Sequence, residues 1–565
     1  LIVEKAPRSS PLLPALVGLV PVVAYFSFLA VYAVNVPLFD DHALRGFLVF
    51  YQAADSFAEK FALVFSQHNE HRIGYDRLVV LMQFWLTGEI NFVGMMVVGN
   101  LSLLGILWIC YRIFEQTGRS LWGFVPVPYL LFSLALHENT FWGMAALQNF
   151  TVVFFVLLST FHLTQSGTRA LLWGCLSAVA AVYTSGNGFL LLPVGAGLLL
   201  LQRRWRDFVI FSSVAVVCVI VYFIGYLPPP GNPDQIPLTE VGRHFSGFVL
   251  FLGGAFQVGS GGQLSVLRLI GFLLTGYAVS FVLLTGWFYR QSLAQSNRRF
   301  SYLFLSGLFA FVLLTAALVT YSRLSFGEMV LLTSRYKIYS VLLTIGAYLG
   351  LLVTAKKPFS RLQTLFFVGA TVVWNGWMFV TNLPEVAFHR KEMLTNLFNW
   401  TYSGNQVPAT DGYDRQQHPY HRPLAFYSEP APRWVAPIRP EPIRPTGRTR
   451  RPLRVEQTAN ELVVQDSVPV PTGTLDDGVY LLLKSPTRTF LFPTRPGTHT
   501  SLRQLLTTGS LHVDGYSAAI PKAEFQTDTY TLYLIRHEGG RNALIPTGER
   551  LQLVNPNREG VKTNW

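Results

Sequence analysis

Between Pro11 and Leu383 the chain holds eleven apolar runs whose middles carry no Asp, Glu, Lys or Arg. A helix of about 20 such residues crosses a hydrocarbon core, and an ionisable side chain inside it is costly. The runs are 11–36, 91–114, 120–136, 144–164, 170–184, 188–202, 207–227, 266–289, 300–321, 337–355 and 361–383. The fifth and sixth are short, and Thr184-Ser185-Gly186-Asn187-Gly188 predicts a tight turn between them. The apolar stretch 245–259 contains Gly247, Gly253, Gly254 and Gly259 and reads as a re-entrant or interfacial segment. Run 11–36 is too long for the core of a cleaved signal and is expected to remain as a span. With 51% hydrophobic and 13% charged residues, the chain is too apolar for an ordinary soluble protein.

The charge between the runs is sided. If the N-terminus is cytoplasmic, the inside segments hold fourteen basic residues against Glu4, Glu115 and Asp207. The opposite loop 37–90 holds seven acids against Arg45, Lys60, Arg72 and Arg77. The net charge of +13 is therefore largely a topology signal, and no nucleic-acid partner is expected. Cys110, Cys175 and Cys218 lie inside apolar runs and outline neither disulfides nor a zinc site.

Beyond Leu383 the composition changes. Residues 384–403 suggest an interfacial helix with His389, Arg390 and Lys391. The stretch 404–453 is a proline-rich linker, and 454–565 reads as short strands between turns, a small β sandwich. Expected strands are Glu461–Val468, Val479–Lys484, Thr489–Phe492, Leu511–Val513 and Tyr530–Ile535.

Polar residues gather in loops on the expected outer face. Asp40 and Asp41 follow the first run; a carboxylate there can take a proton from an attacking hydroxyl, or the pair can hold a cation. The competing account is an acid pair that only ends a helix at the water boundary. His68, Glu70, His71 and Arg72 offer two imidazoles, a carboxylate and a guanidinium, and 68, 71 and 72 share a face if the segment is helical. A solvated, salt-bridged loop is the plainer reading. Glu138, Trp142 and Gln148 could meet a hydroxylated ligand, or form an aromatic belt with a capping acid. Arg323 and Ser334-Arg335-Tyr336-Lys337 come near the end of the bundle. Arg335 and Tyr336 at a helix start suit a phosphate, whereas an arginine that only sets helix depth would look the same in sequence. The cofactor reading is limited to a divalent cation, Mg or Mn, on Asp40 and Asp41; a His-plus-carboxylate metal site at His68–Arg72 is the weaker alternative, since its spacing matches no closed zinc pattern.

At these residues the chain resembles the GT-C superfamily of integral-membrane glycosyltransferases. It shares with them a long first outer loop with acids after the first helix, about eleven to thirteen spans and a soluble outer C-terminal domain. The resemblance implies an α-helical polytopic membrane protein with a small extracytoplasmic all-β domain. It covers roughly 11–383, and the His68–Arg72 segment is similar to motifs of uncharacterised bacterial relatives. It implies transfer of a sugar from a polyprenyl-phosphate donor, with inversion, to a glycan, lipid or protein acceptor. Asp40 or Asp41 matches the catalytic acid position, and Arg335, with Tyr336 and Arg323 near it, the lipid-phosphate position. His68, Glu70, His71, Arg72, Glu138, Trp142 and Gln148 are then substrate-binding candidates, and all of these groups are expected to converge on one cavity. The expected location is the bacterial cytoplasmic membrane, among membrane lipids, with an inner N-terminus and an outer β domain.

Two other classes fit the same spans. A non-catalytic subunit would dock partner subunits through the C-terminal domain and would need none of the loop chemistry. A transporter or flippase normally keeps ionisable groups at mid-membrane, where these runs have none.

Overall fold

The computed structural model describes residues 11–227, 235–257, 263–289, 298–403, 426–427, 453–468, 475–486, 488–498, 507, 512–525 and 527–555. The chain forms two compact units. One comprises Leu1–Val31, Phe47–Thr87 and Val93–Asn382; the other Tyr32–Gly46, Gly88–Phe92 and Leu383–Trp565.

The first unit is helical. Eight helices among the described residues are long and apolar enough to cross a membrane. They are Leu12–Tyr32, Phe92–Glu115, Gly143–Leu163, Trp205–Phe223, Leu264–Tyr289, Arg299–Phe326, Ser334–Thr354 and Arg361–Asn399. Thr168–Val182 and Gly186–Leu201 are shorter apolar helices either side of the expected turn. In Gly143–Leu163 and Ser334–Thr354, 72% and 78% of the most apolar stretch is buried, so these two lie inside the bundle. Leu12–Tyr32 and Trp205–Phe223 bury only 22% and 17%, and their leucines and valines face outward, as lipid-facing helices require. Gly99 lets the backbone of Ala146 approach so closely that no side chain would fit between them.

Run 120–136 does not form one helix. It is broken into a 3-10 turn at Leu121–Gly123, the helix Pro126–Leu131 and a second 3-10 turn at Leu134–Leu136. Pro126 and Pro128 bring no N–H, and Asn375 Nδ2 donates to the carbonyls of Tyr129 at 2.7 Å and Phe132 at 2.8 Å where the helix fails. Stretch 245–259 begins within the 13-residue helix Val241–Gly253, too short to span.

The second unit is built on two antiparallel sheets. The strands are β3 (Arg454–Gln457), β4 (Glu461–Asp466), β5 (Gly478–Lys484), β6 (Thr489–Pro493), β7 (Arg495–Thr498), β8 (His512–Pro521), β9 (Asp528–Glu538) and β10 (Arg541–Leu553); β1 (Gln67–His68) and β2 (His71–Arg72) belong to the first unit. The sheet orders are β10-β9-β5-β6 and β3-β4-β8-β7. Leu462, Val464, Leu481, Leu483, Phe490 and Leu532 share the core between the sheets. The other face of β5 presents Tyr480 and Leu482 to Phe398 of the long helix, so β5 is apolar along both faces.

That helix runs from Arg361 to Ser403 without ending near Leu383, despite Pro384. Its basic residues are spent on the β domain: Arg390 pairs with Asp476 at 2.7 Å, and the buried Lys391 donates to the carbonyl of Asp477. Asn399 acts like a strand neighbour, donating to Leu491 O at 2.9 Å and accepting from Leu491 N at 2.7 Å. Most of the proline-rich stretch 404–453 lies outside the described residues, as do the basic residues Lys5, Arg8 and Arg290. Its described pair, Phe426 and Tyr427, is buried: Ile90 N donates to Phe426 O at 2.8 Å, and Tyr427 Oη to Asn35 O at 2.8 Å.

Candidate functional site

A chain of hydrogen-bonded polar side chains runs through the apolar first unit. It centres on Ala146–Phe150, a π-helical turn inside Gly143–Leu163. Widened turns of this kind are rare and often carry functional side chains. Gln148 on this turn donates to Oδ2 of the fully buried Asp76 at 3.0 Å. The next residue, Asn149, donates to Asn139 Oδ1 at 2.9 Å, and Asn139 Nδ2 donates to Arg335 O at 2.9 Å. Glu138 and Ser334 close the far end reciprocally. Arg335 N donates to Glu138 Oε2 at 3.1 Å, and Glu138 N to Ser334 Oγ at 3.1 Å. The chain thus joins Gln148, Glu138 and Arg335, three residues singled out from sequence.

Glu138 is used here as a cap for the turn Ser334–Tyr336, and that fixes where Arg335 begins. The guanidinium Nε of Arg335 is buried with no hydrogen-bond partner among the described residues. Its Cζ lies 5.4 Å from the Tyr336 ring centroid, and Lys337, two residues on, is 7% exposed. A buried cationic donor without an acceptor is costly, so this corner suits an anion.

The His68–Arg72 segment is a hairpin, not a helix. β1 and β2 pair His68 with His71 around Asn69-Glu70, and Asn69 holds φ at 48°, a left-handed conformation that asparagine tolerates. Residues 68, 71 and 72 therefore share no helical face. Arg72 donates to the carbonyls of Tyr222, Phe65 and Ile224 and stacks on the Tyr222 ring, which makes it a clamp between loop and helix. Glu70 pairs with Arg323 at 3.6 Å, so two further candidates meet, each about one-third exposed. His71 lies against Gly186, where a Cβ would come within 2.6 Å of Nδ1. Trp142 is half-buried immediately before the π-turn segment.

Asp40 and Asp41 belong to the second unit. Asp41 opens the helix Asp41–Ala53, is fully buried, and accepts from Leu38 N at 3.0 Å while its own N–H donates to Leu38 O at 2.9 Å. This reciprocal pair works like a capping box and holds Phe39 at φ 42°, strained for a bulky residue. Asp40 is half-buried between them. One turn on, the fully buried Arg45 donates to His42 Nδ1 at 3.1 Å and stacks 5.1 Å from the Tyr427 ring centroid. Burial, then Arg45, pushes the His42 pKa down to about 3, so this imidazole is neutral.

Asp76, Asn139, Asn100 and Lys337 had drawn no individual role from sequence. Tyr25 Oη donates to Asn100 Oδ1 at 2.6 Å and lies 2.7 Å from Thr140 Oγ1, extending the buried network by one layer. The signal for Asn100 was an amide alone in the middle of an apolar run. Among the described residues no group of three His, Cys, Asp or Glu could hold a metal ion, so a cation at Asp40 and Asp41 would take its other oxygens from water or substrate. Comparisons with protein-family models, with curated proteins and with solved structures found no match to this chain.

Proposed function

We propose that the protein is a multi-pass membrane glycosyltransferase of the GT-C kind. It would move a sugar from a polyprenyl-phosphate donor to an extracytoplasmic glycan, lipid or protein acceptor. The observation that carries this reading is Arg335: its backbone is locked by Glu138 and Asn139 while its buried Nε lacks an acceptor among the described residues, and a buried Lys337 follows in the same turn. A phosphate oxygen supplies that acceptor, and guanidinium geometry suits it. The sided loop charge supports an inner N-terminus and an outer β domain in a bacterial cytoplasmic membrane.

In the reaction, the acceptor oxygen forms a bond to the anomeric carbon as the bond from that carbon to the lipid phosphate breaks. The phosphate departs with the electron pair, and Arg335 and Lys337 offset its charge. Asp40 receives the hydroxyl proton, since Asp41 already closes the turn to Leu38. The test is transfer of labelled sugar from a polyprenyl-phosphate pool in membranes carrying wild type, Asp40→Asn, Asp41→Asn or the double variant. Full activity in all three variants would end the catalytic reading and favour a non-catalytic subunit.

A further inference from the structure

The second unit contains a cavity of about 410 Å³, within the range of roughly 300–1,000 Å³ usual for small-molecule sites. Its walls come from Val36–Phe39 and His42, from Phe388 to Asn399 of the long helix, and from the β6 and β8 strands. Every lining residue belongs to this unit.

The lining is two-sided. Leu38, Met393, Phe490, Phe492 and Ile520 supply an apolar wall, while His389, Glu392 and Asn396 supply polar groups along one helix. The positions 389, 392 and 396 are spaced at three and four residues and therefore fall on one helical face. The Glu392 carboxylate makes no hydrogen bond or ion pair among the described residues. The one arginine among the described lining residues is engaged: Arg495 Nη1 reaches both Glu385 oxygens at 2.8 and 2.7 Å, and its Cζ lies 3.7 Å from the Phe388 ring centroid. His42 is neutral. Among the described lining residues, an anionic ligand would meet Glu392 with no cation to spare.

We infer that this cavity binds a neutral, hydroxylated ring, a pyranoside unit of a glycan. Its C–H face would lie on the apolar wall, and its hydroxyls would donate to Glu392 and exchange bonds with Asn396 and His389. Phe39 and His42, which line the cavity, flank Asp40 in sequence. On the transferase reading, on which this last step rests, the occupant is the acceptor.

The test uses the full chain in lipid nanodiscs free of glycoside detergents. Saturation-transfer NMR is recorded with mannotriose, cellotriose and chitotriose, and with glucose 1-phosphate as the anionic probe. At least one neutral trisaccharide should bind, with affinity at least tenfold weaker in Glu392→Gln and in Ala519→Trp, which fills the cavity from an exposed strand position. Binding should be unchanged in Arg335→Ala. No binding by any trisaccharide, binding that survives both wall variants, or stronger binding by the sugar phosphate that persists in Arg335→Ala and is lost in Ala519→Trp would overturn the site. Neutral-sugar binding at this wall without any transfer activity sustains the cavity and rejects the transferase. Transfer that is unaffected by Glu392→Gln and Ala519→Trp rejects the acceptor assignment and leaves the transferase reading standing.

Discussion

Gln148 Nε2 stands 3.0 Å from Asp76 Oδ2, and this contact ties a π-helical turn of one apolar helix to a fully buried acid of another. Removing the amide takes away a hydrogen bond that the buried carboxylate accepts. Gln148→Ala is expected to cost about 1–3 kcal/mol of stability, and Gln148→Glu more, because it sets two acids against each other. Thermal unfolding of the purified protein checks both, and a melting point unchanged in Gln148→Glu would show that the contact contributes nothing.

Arg72 and Arg335 should separate cleanly. Arg72 spends its guanidinium on three backbone carbonyls, so Arg72→Lys should lower stability by roughly 1–3 kcal/mol while leaving apparent donor KM unchanged. Arg335→Ala should raise that KM with little change in melting temperature. Steady-state transfer kinetics beside melting curves distinguish the two, and the reverse pattern would reassign the phosphate anchor.

The two aspartates should also divide. Asp41 holds the turn to Leu38, so Asp41→Ala should lower the melting temperature. Asp40→Asn should keep it and cut turnover by about 10²–10⁴-fold, the typical worth of a general base. Equal stability and equal turnover losses in both variants would remove the division.

His42 provides a pH-dependent term. Its folded pKa is depressed to about 3 by burial and Arg45, against about 6.5 for a free imidazole. Its contribution is therefore complete above about pH 6.5 and declines as pH falls toward 3, where the unfolded chain binds the extra proton. The slope is at most about 1.4 kcal/mol per pH unit. Melting curves between pH 4 and 7 should be flatter for His42→Asn than for wild type; parallel curves would show that His42 titrates normally.

The spacing of charge-free runs was enough to indicate helices of membrane length, because burying a charge in hydrocarbon is costly whatever the neighbours are. Short apolar runs between Gly, Pro and Asp turns likewise marked β4, β5, β6 and β9. They missed β10, the longest of the described strands, whose Pro546 and register shift before Arg550 interrupt it and whose outer positions are exposed. Apolarity also joined 120–136 into one run, since it does not report that a short helix starts afresh at Pro126 and ends against the Asn375 side chain.

For the candidate site, sequence supplied the residue types and tertiary structure assigned their partners. Arg72 and Arg335 look alike in sequence, each a basic residue in a polar loop, yet one is held by three carbonyls from residues up to 152 positions away and the other keeps a buried N–H without an acceptor among the described residues. His68 to Arg72 became a hairpin because Asn69 accepts a left-handed backbone, a local choice that the charge pattern does not encode. Asp76 had been one acid among seven in a loop, and its burial beside Gln148 depends on contacts 72 residues apart. Hydrophobicity is a property of each segment, legible from the segment alone. Hydrogen-bond satisfaction is a property of pairs, decided only when the chain brings distant partners together.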